Sequence, residues 1–248
     1  MNNLLKFAID AHGGLDRWNQ LEWVTAEQKT GGVFLQKKGL PNLLSNNKIT
    51  VNLHRQHTSH FSFGRPDYNT LFETKRIAIK GADNATIEEL KNPRQSFEGQ
   101  TNESTWTSIQ LAYFAGYAIW TYLTAPFSFT MPGFEIDEID PWTENGELWR
   151  RLKVTFPENI DTHSKEQIFY FDKDGLIRRH DYQVYGNAPA AHYVSGHQEV
   201  QGVIVPTVRR VYVRQPDNTP RLPEPLLVSI DFSNIHFSPS NTRDNSIL

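Results

Sequence analysis

The stretch TWTSIQLAYFAGYAIWTYLTAPF, residues 105–127, decides how the rest of the chain must fold. Trp106, Ile109, Tyr113, Tyr117 and Trp120 recur at steps of three and four, the spacing of one helix face. Leu111, Phe114, Ala118 and Tyr122 fill much of the remaining circumference, and no charged residue stands between Glu103 and Glu135. A solvent-facing helix carries a charged stripe, so one that is apolar nearly all round is buried on most sides. Thr107, Ser108, Gln110, Thr121 and three tyrosines make it too polar for a membrane span. Ser104 or Thr105 is expected to cap its start, because a hydroxyl there accepts an orphan amide of the first turn, and Pro126 marks its end.

Outward from this helix the chain reads as strands. A short helix comes first, where Leu4, Leu5, Ala8, Ile9 and His12 fall in helical steps before Gly13-Gly14. The period then changes to two. A first strand is expected over 23–34 and a long one over 48–63, with Ile49, Val51, Leu53, Arg55, His57, Ser59, Phe61 and Phe63 on one face. One or two strands fit 71–80, and 81–100 reads as polar loop. After the helix, 129–139 reads as an acid-rich connection, and strands are expected over 148–156, 166–171, 176–185, 190–200, 203–214 and 226–237. Asp172-Lys173-Asp174-Gly175 is a hairpin signal, since glycine accepts the positive φ that closes the turn. About nine or ten strands around one buried helix favour a mainly β, α+β fold: a strongly curved antiparallel sheet forming a half-open barrel, because a flat sandwich has no place for the helix. One domain is expected over 1–240, with a frayed tail over 241–248.

Composition narrows the function. A net charge of −3 gives no basic field, which argues against nucleic acid as a partner. The absence of cysteine excludes disulfides and thiolate chemistry. The N-terminal apolar run is too short and interrupted for a signal peptide, so a cytoplasmic location is expected. Aromatic residues make up 12% of the chain and include six tryptophans, a surplus that suits a thick core or a cavity wall for a flat or greasy ligand.

The order of elements resembles a known family. AHGGLDRW leading into a long strand, a run of antiparallel strands, a helix in mid-chain and an FYFDKDGLIRRHDY hairpin in the second half are similar to the LolA/LolB-like superfamily of bacterial lipoprotein carriers. The resemblance implies an open half-barrel whose concave face is covered by helices and encloses an apolar cavity for acyl chains. With neither signal peptide nor lipobox cysteine, it implies a cytoplasmic variant of that architecture.

Strand alternation projects Arg55 and His57, Arg150, Arg178 with His180 and Tyr182, and Arg209 onto apolar faces. Unpaired charge in a core costs several kcal/mol, so such residues need ion pairs, water or a ligand. Two readings stand side by side. Either these cations anchor the acidic or carbonyl headgroup of a hydrophobic or aromatic ligand, with Trp106, Tyr113, Tyr117 and Trp120 as the facing wall, or they are solvated arginines paired with Glu166, Asp181 or Glu199. Arg178-Arg179 and Arg209-Arg210 put one member of each pair inward by geometry alone. In a cofactor-independent enzyme of cyclase, isomerase or decarboxylase type, His180 would transfer a proton and Tyr182 would stabilise an enolate. Metal binding is not expected: along a strand His57 faces away from His54 and His60, and no HExxH, Walker A, GxGxxG or GxSxG motif occurs. No cofactor is called for.

Overall fold

The structure, a computed structural model, describes residues 1–239, so the tail expected over 241–248 lies outside the described residues. The chain enters through α1 (Asn3–Ala11) and a single turn of helix, α2 (Leu15–Trp18). It then lays down β1 (Leu21–Gly31), a short helix α3 (Phe34–Lys37), β2 (Asn46–Asn52), β3 (His57–Phe61), β4 (Asn69–Glu73), β5 (Arg76–Lys80) and β6 (Thr86–Lys91). A 3-10 turn at Pro93–Phe97 leads to the central helix α4 (Ser108–Thr124). The second half holds β7 (Glu135–Glu144), β8 (Glu147–Thr155), β9 (Glu166–Phe171), β10 (Ile177–Val184), β11 (Ala188–Val200), β12 (Val203–Val213) and β13 (Val228–Pro239).

These thirteen strands form one antiparallel sheet in the order β6-β5-β4-β3-β2-β1-β13-β12-β11-β10-β9-β8-β7. Two meanders therefore meet at the centre, where β1 pairs with β13 and Val24 lies opposite Phe237. β6 and β7 are the two ends of the sheet and do not pair with each other, which leaves a curved, half-open barrel. The chain between them contains α4, and α4 lies in the hollow.

Every residue of α4 except Ser108 and Phe114 is buried, as its freedom from charge requires. Its start falls at Thr107 rather than Ser104 or Thr105. The Thr107 hydroxyl accepts from the Gln110 amide, and the Gln110 side chain accepts from the Thr107 amide at 2.9 Å, a reciprocal cap that neither earlier residue has. Trp106 consequently precedes the helix, and its amide donates to the Lys38 carbonyl at 3.0 Å. The helix packs closely on β2–β5: the Trp120 indole donates to the Asn52 carbonyl at 3.0 Å, and Tyr113 meets the Phe72 ring with centroids 5.8 Å apart.

Three expected segments differ. The span 48–63 is two strands, because the Asn52 side chain accepts the amides of His54 and Arg55 and turns the chain. Parity flips across that turn: Ile49 and Val51 pair with His60 and Thr58, so odd residues face α4 in β2 and even residues face it in β3. The polar loop over 81–100 contains β6, and the acid-rich connection contains the start of β7. Both are end strands with mostly exposed side chains, so neither shows buried alternation.

Gly116 is the contact point of helix and sheet. A Cβ added there would come within 2.5 Å of Phe72 Cβ. Alanine would gain up to ~1 kcal/mol of helix propensity, but overpacking costs ~1–3 kcal/mol. Gly116→Ala is therefore expected to lose about 1 kcal/mol or more in chemical denaturation, and Phe72→Ala in the same chain to recover part of that loss.

Candidate functional site

On its other side α4 does not close against β10–β13. A cleft of about 340 Å³ opens there, lined by Phe34, Trp106, Phe114, Tyr182, Val211 and Val228 among others, with Lys37, Lys38, Glu103 and Arg221 at the mouth. It shares Phe34, Phe114, Tyr182, Val211 and Val228 with a deeper void of about 50 Å³ bounded by Ala118, Ile119, Tyr122 and Ile230. The two share a wall beneath the helix.

Aromatic rings frame the mouth. Phe97 stacks on Tyr185 with centroids 3.8 Å apart, and Trp106 meets Phe97 at 5.2 Å, Phe34 at 5.3 Å and Phe114 at 5.0 Å. The Lys38 ammonium is already engaged, donating to the Asn102 carbonyl at 2.8 Å and the Ser104 carbonyl at 3.0 Å over the Trp106 ring. Burial lowers its pKa.

Beside the void lies a buried polar cluster. The Tyr122 hydroxyl is 2.9 Å from both Tyr182 Oη and His163 Nε2, and His163 stacks on Tyr182 at 4.0 Å. His180 stacks on Phe169, and its Nε2 is held by Gln167 Oε1. His192 is fully buried and neither ring nitrogen has a partner. Arg209 is buried too, and its Nη2 donates to the Tyr122 carbonyl at 2.6 Å. Burial pulls its pKa down to about 10, so it stays charged at neutral pH.

The expected site residues scatter. Tyr182 and Trp106 line the cleft, while Arg209 is held against Tyr122 and lines neither the cleft nor the void. His180 faces the same side but sits behind Tyr182 and does not border the cleft. Arg55 and His57 lie instead against Trp23 in an outer groove, a consequence of the parity flip after Asn52. Arg150 is half exposed and bonded to Glu138 at 2.8 Å, and Arg178 pairs with Asp172 at 3.8 Å. Trp120 is core packing. Tyr113 and Tyr117 face away from the cleft, toward Asp161 and Arg94: Tyr113 donates to Asp161 at 2.8 Å, and Arg94 lies 5.8 Å from the Tyr117 ring.

That second group bridges the two arms of the sheet. Asp161 also accepts from the Lys75 amide, exchanges hydrogen bonds with Gln56 and stands 3.9 Å from Arg94, which donates to the Thr162 carbonyl. The open cleft of about 500 Å³ outside this bridge sets Lys75, Arg94 and Lys165 and Glu98, Glu158 and Asp161 around Phe156, Pro157 and Ile160, a lining of mixed charge with one aromatic ring. Among the described residues no three His, Asp or Glu side chains are placed to share a metal ion, and no helix is long and apolar enough to cross a membrane.

No protein-family model matches the sequence, and no curated protein matches it. Solved structures do. A DUF1329 family protein from Desulfovibrio piger aligns over 99% of this chain and 95% of its own, with a TM-score of 0.55 and 13% identity. A LolA superfamily protein from Nitrosomonas europaea covers 98% and 94%, at 0.54 and 8%. The fold is LolA/LolB-like. An outer membrane lipoprotein-sorting protein domain from Vibrio parahaemolyticus gives the same coverage, with a TM-score of 0.56 and 9% identity. At these identities the likeness concerns the fold alone.

The LolA-like sheet also buries charge on its outer face, which alternation at Arg178-Arg179 left open. Arg179, fully buried, bonds Asp181 at 2.7 and 2.8 Å, Glu144 at 2.9 Å and the Asn218 carbonyl at 2.8 Å, while Tyr170 donates to Asp181 and Tyr193 to Glu144. This network pins the segment carrying Arg221 to the sheet. Arg179→Ala leaves buried Asp181 with only Tyr170 and the more distant Arg214, and partly buried Glu144 without its cation, and is expected to cost about 3 kcal/mol in denaturant unfolding.

The buried histidines of the half-barrel set its acid tolerance. Burial lowers His12 and His60 to about 4 and His163 to about 3, and pushes His180 and His192 well below the ordinary 6.5. Above about pH 6.5 these rings are neutral in folded and unfolded chains and cost nothing. Below it the unfolded chain binds protons that the folded rings refuse, so stability falls as pH drops toward about 4. The thermal midpoint is expected to be lower at about pH 5 than at about pH 7, and His60→Leu to flatten that slope.

Proposed function

We propose that the protein binds a hydrophobic or aromatic small molecule with an acidic or carbonyl headgroup, held between α4 and β10–β13. The observation that carries this reading is the cleft itself. α4 packs tightly on one arm of the sheet and leaves about 340 Å³ of aromatic and aliphatic wall on the other. Ligand pockets run to ~300–1,000 Å³, so this one suits a single small molecule or one chain rather than a lipid with several. The likeness of the fold to an outer membrane lipoprotein-sorting protein domain supports a reading in which the half-barrel holds a hydrophobic ligand. A catalytic reading through His180 lacks comparable support, since its ring is depressed well below neutrality, bonded to Gln167 and screened from the cleft by Tyr182.

Ala188 lines the mouth half-buried, where a larger side chain fills the cleft without entering the core. Ala188→Trp is expected to weaken binding of an apolar fluorescent probe, anilinonaphthalene sulfonate, by about tenfold or more, while stability stays within ~0.5 kcal/mol. Native mass spectrometry of the purified protein is expected to show a co-purifying apolar molecule that this variant lacks. Equal probe binding by both proteins would refute the cleft as the site.

A further inference from the structure

We propose that Lys38 is the headgroup anchor of the cleft, and that the ligand is a single-chain carboxylic acid which enters tail first and leaves its carboxylate at the mouth. The inference rests on the cleft reading above and adds the headgroup, its anchor and its orientation.

Lys38 lines the cleft and is only 4% exposed, although a lysine is rarely buried without a carboxylate partner. The chain holds it from both sides. Its amide donates to the Phe34 carbonyl at the end of α3, and its own carbonyl accepts from the Trp106 amide at the approach to α4. The ammonium stands 5.1 Å from the Trp106 ring centroid and 5.7 Å from that of Phe34, two rings that also line the cleft. An ammonium has three N–H donors. The Asn102 and Ser104 carbonyls take two, and the third has no acceptor among the described residues. Nor does any carboxylate among them form an ion pair with Lys38; Glu103, exposed at the same mouth, favours its charge from a greater distance. A buried cation served by two neutral carbonyls gains from an anion that supplies the third partner.

The two ends of the cleft suit different chemistry. Toward the wall shared with the void the lining is Phe114, Val211 and Val228, and the void itself is bounded by Leu111, Ala118 and Ile230. A carboxylate pushed to that end gives up its hydration against apolar side chains, whereas an alkyl chain gains by leaving water there. At the mouth Lys37 and Arg221 stand exposed beside Lys38, so three cations face the single carboxylate of Glu103. The two exposed ones add a screened, weak attraction, and Lys38, already desolvated and fixed in place, supplies the directed bond. One free N–H matches a monoanionic carboxylate better than a phosphate, which brings more charge and three acceptor oxygens.

The test compares decanoic acid with 1-decanol, equal in chain and different in charge, by titration calorimetry at neutral pH. Decanoate is expected to bind about tenfold more tightly than decanol, and Lys38→Met to bring the two affinities together. Equal affinities in the unaltered protein, or a preference for decanoate that survives Lys38→Met, overturn the anchor and leave the cleft reading intact. Failure of both compounds to bind removes the cleft reading itself. Decyl phosphate binding more tightly than decanoate refutes the carboxylic acid as the ligand class. Orientation is read without any variant, from quenching of tryptophan fluorescence by bromine at contact range. Trp106 is the one tryptophan among the described residues that lines the cleft or the void, and it lies beside Lys38. At saturation 2-bromodecanoate is expected to remove more of the fluorescence than 10-bromodecanoate. Equal quenching, or the reverse order, puts the carboxylate away from Lys38 and refutes the proposal.

Discussion

A single connection governs this molecule: α4 joins the two outermost strands of one sheet and must therefore cross the hollow between them. A helix in that position meets protein on nearly all sides, which is why a charge-free segment from Ser104 to Phe134 is tolerated and required. Because the helix leans on β2–β5, with Gly116 admitting Phe72, the opposite arm is left under-filled. The cleft is the remainder of that asymmetric packing.

The sheet treats its two faces differently although both bury polar groups. Along β10, His180 and Tyr182 turn inward to stacked rings and hydroxyl pairs, while Arg179 and Asp181 turn outward into a closed ionic network. Outside, Arg179 has Asp181 and Glu144. Inside, the positive group is partnered by a carbonyl and aromatic faces. That contrast between β10 and β12 sets a closed ionic cluster outside against an arginine with fewer partners inside.

What could be read from the sequence follows from what was buried. The central helix was legible because no charge interrupts it, and the Asp172-to-Gly175 turn because glycine at φ +83° closes it. β6 and β7 were illegible because strands at the ends of a sheet, exposed on most positions, lose the alternation that marks burial. Arg55 and His57 were misplaced by one side-chain turn at Asn52 that inverts parity, an event invisible to strict alternation. Lys38, next to the four-residue helix α3, had no periodicity to signal it. The first strand, expected to run to 34, ends at Gly31 and frees the chain to form α3 at the mouth.

The pairing of β1 with β13 bears on how the protein is made. Val24 and Phe237 are neighbours in space and lie almost the full described length apart in the chain. During synthesis the first arm, β1 to β6, emerges with one side of β1 unpaired and keeps it so until the last strand arrives. A topology with its longest-range contact at its centre folds slowly, since closing so large a loop is deferred to the end. In the meantime the polar outward positions of β1, Thr25, Glu27 and Lys29, are what keeps that waiting edge from capturing another chain.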